Sequence, residues 1–318
     1  MDTTSASRRD WLKAVGAGAL TLLSAPALAA DDLKAKARKN IKLGIMSQVY
    51  GGLPIEEAAR RIAADGFSSV VCDYSFADAR FDPLAPDWKV ADRILKALDR
   101  QGVHIAGLMG YYNVIDPDVT RRKYGEAKMN ALMTYGKRLG TPLVAVGTGT
   151  FNAQSEWGEA PENGTEPAFV KARDALASLA HAAEKVGAVV TIEAYWRSVI
   201  CSIDRAERLF HEVDSPALKL VMDPCNFYRR EDLPKMQPIL NEMFHRLGDR
   251  IAIAHAKDVR ASASGTDLPA AGLGVLDYPL FLRLLAGLDR PMDLMVEHLQ
   301  LPDVTRASSF VRAQFDRI

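Results

Sequence analysis

The scarcities of this 318-residue chain bound it first. It has three cysteines, Cys72, Cys201 and Cys225, an odd number without C-x-x-C spacing, so neither a disulfide framework nor a zinc ribbon is indicated and at least one thiol is free. Neither sign of charge is in excess. Forty Lys and Arg face forty Asp and Glu, which argues against the basic surface that neutralises nucleic-acid phosphates. Six histidines are too few for a nuclease site holding several zinc ions. No apolar run reaches the roughly 20 residues of a membrane span. The first strand is followed by Ser47-Gln48-Val49-Tyr50-Gly51-Gly52, which lacks the G-x-G-x-x-G of a dinucleotide loop. Gly147-Thr148-Gly149-Thr150 and Gly272-Leu273-Gly274 have no Walker lysine and read as turns, and His211-Glu212 has no second histidine four residues on. What remains is 48% hydrophobic and 25% charged, a globular composition long enough to bury a core without staples.

The first thirty residues differ from the rest. Ser7-Arg8-Arg9-Asp10-Trp11-Leu12-Lys13 precedes a short Ala/Gly-rich apolar stretch and then Ala27-Leu28-Ala29, small residues suited to a signal peptidase. This resembles a twin-arginine (Tat) signal, with Trp11 where that pattern usually has Phe. It implies the Tat translocase as a transient partner, a periplasmic location, and export of an already folded chain. Removing residues 1–30 takes away Arg8, Arg9 and Lys13 but also Asp2 and Asp10, so charge balance survives cleavage. Residues 31–40 read as a linker and residues 41–318 as one domain, since no low-complexity segment or change of composition divides them.

Within that domain, short runs rich in Val and Ile alternate eight times with stretches of helical period. Strands are predicted over 42–46, 69–73, 104–109, 143–147, 188–193, 218–223, 251–255 and 294–297. Helices are predicted over 56–64, 88–101, 121–139, 168–186, 203–213, 233–247, 278–288 and 304–315. Gly66, Gly102, Gly140 and Gly187 fall between a helix and the next strand, where a left-handed cap is expected. The predicted fold is α/β, a single-domain (β/α)8 TIM barrel, in preference to a doubly wound open sheet.

In such a barrel the chemistry lies at the C-terminal ends of the strands. The last four strands end on Glu193, Asp223, His255 and Glu297, spaced about one βα unit apart. A lone carboxylate at a strand end is usually a solvated loop residue, but four such groups on successive strands are costly to desolvate unless they share a cation. Three oxygen donors, one nitrogen and no thiolate favour one divalent ion, Mn²⁺ first, with Mg²⁺, Co²⁺ and Zn²⁺ as alternatives. His104, His181, His245 and His298 are read as structural or exposed, and Cys225 as a buried thiol.

At these residues the chain resembles the xylose isomerase-like TIM barrels, the sugar phosphate isomerase/epimerase superfamily, over roughly residues 41–318. The resemblance implies that Glu193, Asp223, His255 and Glu297 hold one divalent metal and that Glu193 and Glu297 also move protons. His255-Ala256-Lys257-Asp258 resembles the H-x-K-D segment of inosose dehydratase-like members. Some ketose epimerases carry a histidine three residues after the metal-binding Asp, where this chain has Asn226. Lys257, Arg260, Asn226 and Trp196 are the expected substrate contacts, although Arg260 is not at the spacing of the epimerases' arginine.

The expected function is therefore an exported, metal-dependent isomerase or epimerase of an unphosphorylated sugar or keto-sugar. Glu193 and Glu297 would act as acid and base around a metal-stabilised enediolate. Expulsion of a β-leaving group from the same intermediate gives the alternative, a lyase or dehydratase, or an enzyme cleaving 3-keto-glycosides. A third reading is a sugar-binding protein without turnover. The partner is a small sugar, with no nucleic acid, and a homo-oligomer is compatible with the fold.

Overall fold

Alternation along each apolar run decides which side chains enter the barrel and which face the helices. The computed structural model describes residues 30–318, so the export signal read over 1–30 lies, but for Ala30, outside the described residues. Eight parallel strands close into a barrel: β1 (Ile41–Met46), β2 (Ser69–Cys72), β3 (His104–Met109), β4 (Leu143–Gly147), β5 (Val189–Glu193), β6 (Leu218–Met222), β7 (Ile251–Ala256) and β8 (Met292–Val296). Each pairs with its neighbours in sequence, and β8 closes on β1 with Leu43 opposite Leu294.

The helices are α1 (Ala30–Asn40), α2 (Ile55–Ala64), α3 (Trp88–Asp99), α4 (Val119–Tyr135), α5 (Glu166–Val186), α6 (Ile203–Val213), α7 (Met236–Leu247), α8 (Tyr278–Gly287) and α9 (Val304–Gln314). Their starts follow local chemistry. Asp87, Asp118, Thr165, Ser202 and Asp277 each accept a hydrogen bond from a first-turn backbone N–H, relieving donors the helix itself leaves unpaired. Gly66, Gly102, Gly140 and Gly187 have φ of 82°, 69°, 93° and 66°, the left-handed conformation expected of them. Residues 31–40 differ from the linker reading. They continue α1, which packs on α8 and β1 with Ala37 fully buried. None of the described helices is long and apolar enough to cross a membrane.

Two apolar layers result. Outside the strands, residues such as Val190, Ile192, Leu220, Leu294 and Val296 pack against the helices. Inside, Met46, Val71, Ala106, Ala145, Val221, Ile253 and Met295 fill the barrel axis. Gly44 in β1 is required by this plug, because a Cβ there would lie 2.3 Å from Met295 Cε and 2.3 Å from Ser69 Oγ. The plug gives the C-terminal mouth of the barrel a solid floor.

Candidate metal centre

Period-two alternation carries the inward face one step past this floor. Glu193 lies two residues beyond Thr191, Asp223 two beyond Val221, His255 two beyond Ile253 and Glu297 two beyond Met295, so each projects inward directly above the plug. The four are buried, and one ligand atom from each lies within 4.8 Å of all the others. The same parity takes Lys257 inward, two residues after His255, and only 2% of its side chain is exposed.

His255 Nδ1 is 3.2 Å from Glu297 Oε2, 3.7 Å from Asp223 Oδ2 and 3.8 Å from Glu193 Oε2. Lys257 Nζ lies 2.5 Å from Asp223 Oδ2, 2.8 Å from Glu297 Oε1 and 4.0 Å from Glu193 Oε1. Burial opposes charge on His255, but Glu297 and Glu193 outweigh it and hold the imidazole well above its ordinary value. Burial likewise opposes the Lys257 ammonium, and Asp223 and Glu297 overcome it, so Lys257 stays protonated. For Glu297, burial pulls the carboxyl upward, yet His255 and Lys257 bring it well below the usual carboxylate range.

The donor set fits a divalent cation. Asp223 Oδ2 and Glu297 Oε1 are answered only by the Lys257 ammonium, and His255 Nδ1 is buried with no hydrogen-bond partner, a costly condition that a coordinated ion removes. Glu193 is held differently. Tyr111 Oη donates to its Oε2 at 2.6 Å and Asn226 Nδ2 to its Oε1 at 2.8 Å, so both oxygens are oriented by neighbouring donors. Burial and Glu193 together push the Tyr111 phenol well above its ordinary value, and it remains a donor at neutral pH.

Above the centre opens a cavity of about 660 Å³, lined by both glutamates, Lys257 and Asn226, with Tyr111, Trp157 and Tyr195 along one wall. The three aromatic rings meet in series, tilted and then edge to face, at centroid distances of 5.5 and 6.4 Å. Two expected substrate contacts do not line it. Trp196 is buried with its Nε1 donating to Thr266 Oγ1 at 3.1 Å, and the Arg197 and Arg229 guanidiniums lie over its ring at 4.6 and 5.0 Å. It anchors the hairpin formed by Arg260–Ser262 and Gly265–Asp267. Arg260 sits on that hairpin, half exposed, 3.6 Å from Asp267. Five residues after His255, beyond the end of β7, it lies on the hairpin and at the surface.

Asp258, the last residue of the H-x-K-D segment, is structural. Its carboxylate accepts from the backbone N–H of Val259, Gly272 and Leu276, and so clamps the loop after β7. Asp258→Ala removes the acceptor of all three bonds and is expected to cost about 3 kcal/mol. That corresponds to a Tm fall of roughly 6–12 °C by calorimetry. A shift under about 2 °C would show that the loop holds itself. Cys225 is buried, its thiol pushed well up by burial and by Asp223, which suits an inert side chain rather than a ligand.

The pairing of Tyr111 with Glu193 and the place of His298 in the lining are not among the expectations drawn from the sequence. Tyr111 lies two residues beyond Met109 on β3, so strand parity alone points it inward. His298 lines the cavity directly beside Glu297.

Residues 57–312 match the xylose isomerase-like TIM barrel family. Among curated proteins no match was found. A xylose isomerase-like TIM barrel protein from Mycobacterium smegmatis, solved in complex with magnesium, is 15% identical, with 88% of this chain and 98% of that chain covered and a TM-score of 0.64. The 3-keto-D-glucoside 4-epimerase of E. coli, in its apo form, is 18% identical over 87% of this chain and 100% of its own, with a TM-score of 0.63. A probable 3-DHS dehydratase from Bacillus anthracis is 13% identical, covers 86% and 97% of the two chains, and has a TM-score of 0.65. At these identities the likeness concerns the fold.

Proposed function

The chain belongs to the xylose isomerase-like TIM barrel family, and from that premise we propose that it is a divalent-metal-dependent isomerase or epimerase of an unphosphorylated sugar or keto-sugar. One observation carries the reading: Glu193 and Glu297 belong to the same buried four-donor cluster and both face the same cavity. A divalent ion held by Glu193, Asp223, His255 and Glu297 would supply Lewis-acid stabilisation of charge on the substrate carbonyl oxygen. Mn²⁺ is the ion we propose, on the ligand chemistry.

The chain's own residues supply the rest. Tyr111 and Asn226 orient Glu193 so that one proton-transferring oxygen is presented in a defined direction. Glu297 stands on β8's end, held by Lys257 and His255, and approaches the substrate from a different strand. A proton removed by one carboxylate and returned by the other inverts the carbon between them. The aromatic wall of Tyr111, Trp157 and Tyr195 suits the apolar face of a sugar ring.

Charge supports an unphosphorylated substrate. Among the described residues lining the cavity there is no arginine, Lys257 is occupied by carboxylates, and Glu156 and Asp303 add negative charge at the wall. An anionic group would meet repulsion there. We place the enzyme in the periplasm, exported by the Tat translocase, on the strength of Arg8-Arg9 and the apolar stretch that follows.

The test is NMR of the Mn²⁺-loaded protein in D₂O with free ketoses, aldoses and 3-keto-glycosides. Deuterium is expected beside the carbonyl together with a new diastereomer or an aldose/ketose partner. Loss of a leaving group would instead assign the elimination reading. No exchange on any sugar with any divalent ion would overturn both.

A further inference from the structure

His298 is absorbed by neither the metal centre nor the packing of the barrel. It follows Glu297 with φ of 57°, one of four non-glycine residues among those described with positive φ. An L-residue there is under backbone strain, which surrounding structure must hold in place. The side chain, 43% exposed, lines the cavity. Its Nδ1 is 2.7 Å from the backbone oxygen of Leu268, which also lines the cavity. A carbonyl oxygen only accepts, so Nδ1 donates to it, and Nε2 is left as the ring atom free to meet a ligand. That Nε2 is 3.9 Å from Glu297 Oε1, so one sugar can meet both atoms through neighbouring carbons.

We propose that His298 is a specificity-determining substrate contact whose Nε2 hydrogen-bonds a hydroxyl beside the carbon on which Glu297 acts. The inference rests on the sugar-enzyme reading given above and deepens it. A sugar with a hydroxyl at that position gains a bond, and one without it leaves the ring nitrogen unpaired. The twisted backbone is what turns the imidazole toward the cavity immediately after a buried ligand. Glu297 must point into the floor of the site, and a neighbour in extended conformation would point to the opposite side.

The experiment uses the full Mn²⁺-loaded chain and its His298→Asn variant. Asn tolerates the left-handed conformation but is too short to place a polar atom at the Nε2 position. The probes are D-fructose and methyl 3-keto-glucopyranoside, each with its singly deoxygenated analogues, and the readout is kcat/KM for deuterium exchange. About a tenfold loss is expected on the parent sugar that exchanges, and little or none on the single analogue lacking the bonded hydroxyl. Equal losses on all analogues, or no loss, would overturn the inference while leaving the enzyme reading intact. A wild type silent on every probe overturns the inference, while the enzyme reading is decided by the wider panel of sugars and divalent ions given above. Thermal melting of His298→Gly gives an independent readout, because glycine relieves the backbone strain. A Tm within about 3 °C of wild type, or above it, is expected, and a fall well beyond that would assign the residue to stability instead.

Discussion

Glu297→Gln and Glu193→Gln are each expected to slow interconversion of the two sugar epimers by about 10³-fold, yet to spare different halves of the reaction. Glu193 and Glu297 face one cavity from different strands, and on the proposed mechanism each would serve as base for one epimer and as acid toward the other. Blocking Glu297 should abolish deuterium uptake by the epimer it deprotonates and preserve uptake by the other. Blocking Glu193 should do the converse. Gln keeps an oxygen donor, so metal content, read by elemental analysis, separates loss of proton transfer from loss of the ion. Interconversion within tenfold of wild type in either variant, at full metal content, would remove that glutamate from the mechanism. Loss of uptake by both epimers in one variant alone would point to a single base with an aldose/ketose outcome.

The split between the two glutamates is visible only in three dimensions, whereas their presence in one site is legible in the chain. The barrel was readable because its strands, buried on both faces, appear as short Val/Ile-rich runs, and the caps at Gly66, Gly102, Gly140 and Gly187 mark the register between them. Strand ends set the cluster, since a charged residue following an apolar run on four successive strands has one place to go. What parity could have added is Tyr111, two residues past an inward-facing methionine on β3. Two of the four expected substrate contacts, Arg260 and Trp196, stand outside the cavity lining for a physical reason. Arg260 and Trp196 lie in loops whose course is set by long-range contacts, the Trp196–Thr266 hydrogen bond and the hairpin pairing, and no periodicity encodes these. His298 escaped because its role depends on a positive φ that no composition rule signals for histidine.

Lys257→Met carries the second large effect, and it is read in stability. Three buried carboxylates share the mouth of the barrel with two cationic side chains, and Lys257 Nζ is within 4.0 Å of all three acids. Methionine keeps most of the buried volume and removes the charge. In chelator-treated protein the carboxylates are then left undercompensated, a condition that costs about 3–5 kcal/mol when a buried pair is broken. At roughly 2–4 °C per kcal/mol this is a Tm fall of about 6–20 °C relative to chelator-treated wild type. Saturation with Mn²⁺ should return much of the lost stability, because the ion answers the same carboxylates, so that the metal-induced rise in Tm is larger in the variant than in wild type. Scanning calorimetry with and without metal reads both quantities. An equal deficit in the two conditions would mean that Lys257 acts by packing alone. A variant that no longer gains stability from any divalent ion would mean instead that Lys257 is needed to hold Asp223 and Glu297 where the ion binds.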